Sequence, residues 1–395
     1  MPAGEHMQGA EFLGVDGVPP GEAGPDRSSE AVARLCADLF RAEPRVLAWG
    51  FVPLAAAREP APHAQALRAW VAQGLHADLT YMEQRLEERA DPRVFAPWAR
   101  TAVLFSLRQP APFDPHRGAD APDALRVAAY ARGKDYHRVC HRIMDRLEER
   151  LAAIAPAVRF ERFCDTAPVF ERDLAAEAGL GWRGKNATLI HRTHGSGFLI
   201  AGFFLDVDAS AFGQPPEPAA DFCGGCTACL TACPTDAFVA PGKLDAGKCI
   251  SYWTIEHKGA IPPGLSARFG NWIYGCDACQ DACPWNRKPA QRHAAELAAH
   301  APEDEPLPPD EWRRTPEEWL TLLRRNGGFR SLMRHTPLKR AGRRMLIRNV
   351  LIAMKNSGTA LSPEWRAILK AEEDDDAILR ELPPEDGSGD AGERE

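Results

Sequence analysis

Apolar residues return every three or four positions through Ala31-Val32, Leu35 and Leu39-Phe40, behind a Ser28-Ser29 pair suited to cap a helix. The same period predicts helices over Ala64–Ala72, over Lys134–Ile154 (Val139, Ile143, Leu147, Leu151) and over Leu174–Ala178. Between them lie apolar or alternating runs that read as strands: Thr101–Leu107 (TAVLFSL), Val158–Phe163 and Phe198–Val207. Strands alternating with helices predict an α/β layer structure over residues 28–213. A proline-rich entrance (Gln214–Ala220) and a Pro/Ala/acid-rich exit (Lys288–Pro309) bracket a cysteine segment, 214–290. Helical periodicity resumes over Trp312–Leu369, within a predicted helical region 291–370. Glycine and proline at 1–27, and acids at 371–395, predict disordered ends. The predicted class is therefore α+β/α/β with an α-helical C-terminal region.

Composition adds two constraints. Hydrophobic residues make up 45% of the chain, ample for a core, yet no run approaches the roughly 18 apolar residues that span a bilayer. No charged start followed by an apolar stretch marks export, so the protein is expected to be a cytoplasmic monomer with no membrane partner. The net charge of −7 is unevenly placed: residues 364–395 carry −8, and the remainder sums to +1. Between Trp319 and Pro363 there are ten Lys/Arg and no acid.

Eight of the eleven cysteines fall between Cys223 and Cys283, in the runs Cys223-x2-Cys226-x2-Cys229-x3-Cys233-Pro234 and Cys276-x2-Cys279-x3-Cys283-Pro284, with Cys249 between them. This is the spacing of bacterial two-cluster ferredoxins, in which the last cysteine of a run ligates the other cluster. It predicts one [4Fe–4S] cluster on Cys223, Cys226, Cys229 and Cys283, and a second on Cys233, Cys249, Cys276 and Cys279. Two zinc sites are the alternative, but zinc knuckles need neither a triple CxxCxxC run nor a proline after each last cysteine. Cys36, Cys140 and Cys164 read as buried thiols.

Further words carry a resemblance: YARGKDYH (Tyr130–His137), DTAP (Asp165–Pro168) with Glu171-Arg172, GLGWRGKN (Gly179–Asn186), CISYWTIEHKG (Cys249–Gly259) and GNWIYGC (Gly270–Cys276). Together with the cysteine spacing they resemble the epoxyqueuosine reductases, over roughly residues 30–355. Two positions depart from the family pattern: Trp272 stands where relatives carry Arg, and Gly202-Phe203 where they carry Gly-Glu.

The resemblance implies a cobalamin-binding α/β domain, a ferredoxin-like two-cluster domain and a HEAT-like helical region. It implies reduction of epoxyqueuosine to queuosine at the tRNA wobble position, using cobalamin fed by the two [4Fe–4S] clusters, with an unidentified low-potential electron donor as partner. A strained epoxide opens as its oxygen is protonated, and family position gives that role to Asp165, whose pKa an enclosed site would raise. The same carry-over assigns Arg89, Lys185, Ser251 and Asp165 to the cofactor. Asp135–Cys140 approximates the DxHxxG word that brings histidine to cobalt, but lacks its glycine and lies in a helical period. His137 is then a hydrogen-bonding residue, and the corrinoid is base-off.

Lys339, Arg340, Arg343, Arg344 and Arg348 recur at i+3/i+4 spacing and predict a basic helix face for tRNA phosphates, with Arg172 as a further contact. A corrinoid reductase of a small molecule, like the reductive dehalogenases, is the alternative. Such enzymes usually carry an export signal and need no basic tail domain.

Overall fold

The computed structural model describes residues 27–54, 63–113, 124–299, 312, 314–324, 328–330, 334–373 and 375–384. The expected disorder at 1–26 and beyond 384 lies outside them. Four strands form the central sheet: β1 (Val46–Pro53), β2 (Thr101–Arg108), β3 (Phe160–Phe163) and β4 (Phe198–Leu205), in the order β1-β2-β4-β3. Every pairing is antiparallel. The alternation of strands and helices therefore does not give the parallel sheet that α/β alternation usually signals. β1 (VLAWGFVP) was not among the predicted elements, because seven of its eight residues are buried and its apolar run shows no period of two.

Helices cover both faces. α1 (Arg27–Ala42) and α2 (Tyr136–Ile154) pack over Trp49, Val103, Phe105 and Phe203. α3 (Glu171–Glu177) packs over Ala48, Leu104, Phe163 and Phe204. Successive strand residues point to opposite faces, so Phe203 and Phe204 serve different cores. Each is fully buried, a contribution of roughly 1.5–3 kcal/mol per side chain. Between them and β3, Gly202 is required: a Cβ there would sit 2.5 Å from the Phe163 ring and from the Val103 carbonyl.

In the cysteine segment the one-turn helices Ala228–Thr231 and Ala278–Asp281 open inside the two CxxC runs. A hairpin (Phe238–Ala240 with Lys243–Leu244) and the helix Ile250–Ile255 lie between them. The strand Trp272–Tyr274 pairs in parallel with Arg126–Val127, tying this segment to the sheet domain. α4 (Pro284–Ala299) runs on from Cys283, so the first half of the expected Pro/Ala-rich exit is helix, with Pro289 inside it.

The C-terminal region is built on α5 (Gly342–Ser357), whose Leu346, Val350, Leu351 and Met354 are buried with Trp319 and Leu369 from the helices Pro316–Leu323 and Pro363–Glu372. The acidic tail is not disordered from residue 371 onward. A further turn of helix, Asp376–Leu379, follows, and Glu373 and Glu381 are buried against Arg343 and Lys355. Among the described residues no helix is long and apolar enough to cross a membrane.

Candidate active site and cluster segment

β3 ends at Phe163, and the chain turns through Asp165 with φ +61°, a left-handed conformation that aspartate tolerates better than most residues. The turn delivers the Asp165 carboxylate to the start of α2. There Tyr136 donates its hydroxyl to Asp165 Oδ2 at 2.9 Å, and His137 Nε2 lies 3.6 Å from the same oxygen. His137 Nδ1 is held at 2.7 Å by Asp135 Oδ1. Asp135 is fully buried, caps α2 and also pairs with Lys339. From the other side, Glu171 Oε1 accepts the Asp165 backbone N–H at 2.6 Å.

The electrostatics follow from this packing. Asp165 keeps 64% of its side chain exposed, and the desolvation its surroundings still impose would raise it, but the nearby His137, the Tyr136 hydrogen bond and the charges of His137 and Arg340 outweigh this and leave the carboxyl below its usual range. The upward shift expected of Asp165 is thus not produced by the protein's own groups, because its neighbours are donors and cations. Burial would lower His137, yet Asp135 and Asp165 lift it to about 9. Burial, helped by the Asp165 charge, raises Glu171 to about 8. The ionised carboxylate therefore stands between two groups that hold protons at neutral pH. The sequence reading found Asp165 and His137 but did not join them. Asp135-Tyr136-His137, an N-cap followed by two polar rings, was the available signal.

Of the other carried-over cofactor residues, Arg89 lies near Asp165, and Ser251 and Lys185 lie by the cysteine segment. The Arg89 guanidinium lies over the Tyr81 ring and donates to the Tyr81 carbonyl at 3.4 Å, and its Nε is buried without a partner. Ser251 is in the first turn of Ile250–Ile255, two residues beyond Cys249. Lys185 is directed to the first cysteine loop, donating to the carbonyls of Gly224 at 2.5 Å and Cys226 at 3.0 Å. Arg172 is exposed and donates to the Ala187 carbonyl at 2.6 Å.

The eight cysteines of this segment gather in two groups, and none is in a disulfide. Cys223, Cys226, Cys229 and Cys283 line one cavity of about 50 Å³, closed by Ile190, Pro284 and Trp285. Cys249 has Cys233 beside it, and Cys276 and Cys279 have Cys249 beside them. The last cysteine of each run therefore crosses to the other group. Burial raises the Cys249, Cys276, Cys279 and Cys283 thiols. Thiolates there call for a metal centre to bind. N–H donors already aim at two of the sulfurs: Trp182 Nε1 at Cys223 (3.4 Å) and the Ala237 amide at Cys233 (3.3 Å).

Comparison with known proteins agrees with this layout. The 4Fe-4S double cluster binding domain model matches residues 222–286, and the model described as epoxyqueuosine reductase QueG, DUF1730, matches 89–166. An epoxyqueuosine reductase of Alicycliphilus denitrificans is 35% identical over 80% of this chain and 87% of its own length. The chain belongs to the epoxyqueuosine reductase family. It is an oxidoreductase with an iron–sulfur domain. A Bacillus subtilis epoxyqueuosine reductase, whose structure has the catalytic aspartate loop swung out of the active site, superposes with TM-score 0.72 at 26% identity, over 89% of both chains. An epoxyqueuosine reductase solved with an epoxyqueuosine-modified tRNA stem loop superposes with TM-score 0.68 at 25% identity, over 91% of this chain and 97% of that one.

Within this family frame, both departures are accommodated by packing. Trp272 is buried and stacks under the Arg126 guanidinium at 4.0 Å, and Arg126 pairs with Asp281 at 2.9 Å. A cation thus reaches the second cysteine run from a neighbouring strand. Phe203 packs with Phe40 and Phe160 in the sheet core.

The basic helix face needs correction. Arg348 is 1% exposed and donates to the carbonyls of Trp253, His257 and Gly259, clamping the CISYWTIEHKG segment. Arg343 forms a two-bond pair with the buried Glu373. Neither presents its charge to a phosphate. The segment lacks acids of its own, but the fold supplies them from elsewhere. Lys339, Arg340 and Arg344 keep more than half of their side-chain surface exposed, while pairing with Asp135, Glu256 and Asp375.

Proposed function

We propose that this protein reduces epoxyqueuosine to queuosine in tRNA, using cobalamin supplied with electrons by two [4Fe–4S] clusters. The reaction takes up two electrons and two protons, breaks the epoxide C–O bonds and releases water. Bound corrinoid would supply low-valent cobalt as the reductant. Residues present suit such a group: Arg89 near Asp165 offers an unpartnered buried Nε, while Ser251 lies two residues beyond Cys249 and Lys185 reaches the first cysteine loop. His137 is committed to Asp135 and Asp165, which favours a corrinoid without a protein histidine beneath the metal.

Asp165 is the proposed proton donor. Because its own neighbours keep it ionised, its proton must come from the adjacent store, and His137 is the nearest charged donor. Tyr136 orients the carboxylate, and Glu171 holds the Asp165 backbone N–H. The proposed cluster ligands are Cys223, Cys226, Cys229 and Cys283 for one cubane, and Cys233, Cys249, Cys276 and Cys279 for the other. Lys339 and Arg340, which pair with Asp135 and Glu256, are the proposed phosphate contacts near Asp165, with Arg344 and Arg172 as further ones. The enzyme is taken to act as a cytoplasmic monomer with a low-potential electron donor.

The observation that carries this reading is the Tyr136–Asp165–His137 arrangement within a family member that holds a double-cluster domain. The test is nucleoside analysis of tRNA from cells lacking the chain. Epoxyqueuosine should accumulate and disappear on complementation; unchanged queuosine would overturn the assignment.

A further inference from the structure

On the margin of the sheet away from Asp165, a second cavity of about 370 Å³ opens between the end of β2, the 191–197 hairpin and α4. Asp165 follows β3, the opposite edge strand from β1, whose Leu47 lines this cavity. None of the residues assigned to corrinoid, epoxide or tRNA faces it.

Its walls are rigid. The hairpin closes on itself through reciprocal His191–Gly195 backbone bonds. Gly195, at φ +66°, packs so tightly on α4 that a Cβ would sit 2.2 Å from Asn286 Oδ1. Asn286 accepts from the Ser196 amide at 2.7 Å and returns a bond to Ser196 Oγ. Arg292, one helical turn past Pro289, donates to the Thr193 carbonyl, which fixes its guanidinium at the rim.

The chemistry of the lining is one-sided. Arg108, Arg292, His194 and His293 contribute to it, and among the described residues no carboxylate does. The charges felt by both histidines are all cationic: burial first, then His191, Arg292 and Arg108 hold His194 down to about 3, and burial with Arg108 holds His293 to about 4. Two nitrogens lack partners. His293 is 8% exposed and Gln109 4%, yet His293 Nε2 and Gln109 Nε2 are both buried without a hydrogen bond. An unsatisfied buried polar group is costly to leave unpaired. Two unpartnered nitrogens in a cavity whose charged lining is Arg108 and Arg292 suit a ligand with polar oxygens and negative charge. Leu47, Pro112 and Phe113 supply an apolar wall beside them. The volume falls in the range of ligand-sized clefts, roughly 300–1,000 Å³.

We propose that this cavity binds a phosphorylated small molecule of mononucleotide size, its phosphate against Arg292, Gln109 and His293 and its apolar part against Phe113. The cavity adjoins the first cysteine group: Trp285, which closes that group, immediately precedes Asn286. The proposal does not depend on the reductase reading.

The test uses the full chain with its clusters and cobalamin loaded, titrated calorimetrically with inorganic phosphate and with AMP. AMP should bind saturably and more tightly than phosphate. Affinity should fall at least tenfold in Arg292→Ala and in Gln109→Leu, with iron content and affinity for a tRNA stem loop unchanged. No saturable binding, or equal binding by the variants, would overturn the proposal. So would competition by the stem loop, which would make the cavity an RNA contact, or AMP binding seen only before cobalamin is loaded, which would give the cavity to the corrinoid's own phosphate.

Discussion

Tyr136 holds Asp165 by a 2.9 Å hydrogen bond from the first turn of a helix that starts at Asp135, so one helix end orients the carboxylate and stores its proton. Replacing Asp165 by Asn keeps the shape and the Tyr136 bond but removes the acid. Turnover of epoxyqueuosine-containing stem loop should drop by about 10²-fold or more, the scale of lost general acid catalysis. Iron content and stem-loop affinity should not change. Near-normal turnover would return Asp165 to a structural turn.

His137 gives a pH signature. Its folded pKa is raised from 6.5 to about 9, so its contribution to stability is complete below 6.5 and is lost as pH rises through about 9. Thermal melts of the protein should therefore weaken across that window. In His137→Gln the same window should flatten. Turnover should fall over the same alkaline range as the proton store empties. An unchanged Tm-against-pH curve in the variant would disconnect His137 from the two carboxylates.

Much of this was legible in the chain. The helices at 27–42, 64–72 and 136–154 follow the 3.6 period, and three strands stand where apolar runs have β-branched or aromatic content. β1 escaped because burial on both faces erases alternation, and antiparallel pairing escaped because connection length does not set strand direction. The site was legible as words but not as contacts. That Asp135 would share itself between His137 and Lys339, 204 positions away, is written only in the fold. The same holds for Glu373, which lies in an acidic tail by composition and in a buried ion pair by structure.

The cysteine groups predict metal content. Anaerobically prepared protein should hold about eight irons and eight labile sulfides per chain, two cubanes on four cysteines each. Cys233→Ala should damage the cluster shared with Cys249, Cys276 and Cys279 and spare the one beside Cys229. Electron paramagnetic resonance of the reduced variant reads this directly: loss of the signal from the Cys223 group instead would reverse the ligand assignment.

The basic residues of the C-terminal region should separate into two classes. Arg340 and Arg344 are exposed, and each phosphate contact releases condensed counterions, so the logarithm of stem-loop affinity should fall linearly with the logarithm of salt concentration. Arg340→Gln and Arg344→Gln should each weaken binding and flatten that slope by about 0.7–0.9. Arg343→Gln should act differently. It strands the Glu373 carboxylate, only 1% exposed, without its cation, a loss on the order of 3 kcal/mol that should lower the melting temperature. The salt slope of Arg343→Gln should match the parent protein. Arg348→Gln should instead loosen the segment carrying Cys249 and Ser251, and reduce iron retention. If Arg343→Gln flattened the slope while leaving the melting temperature alone, the face inferred from sequence spacing would be the true tRNA contact, and the ion pair with Glu373 would not hold in solution.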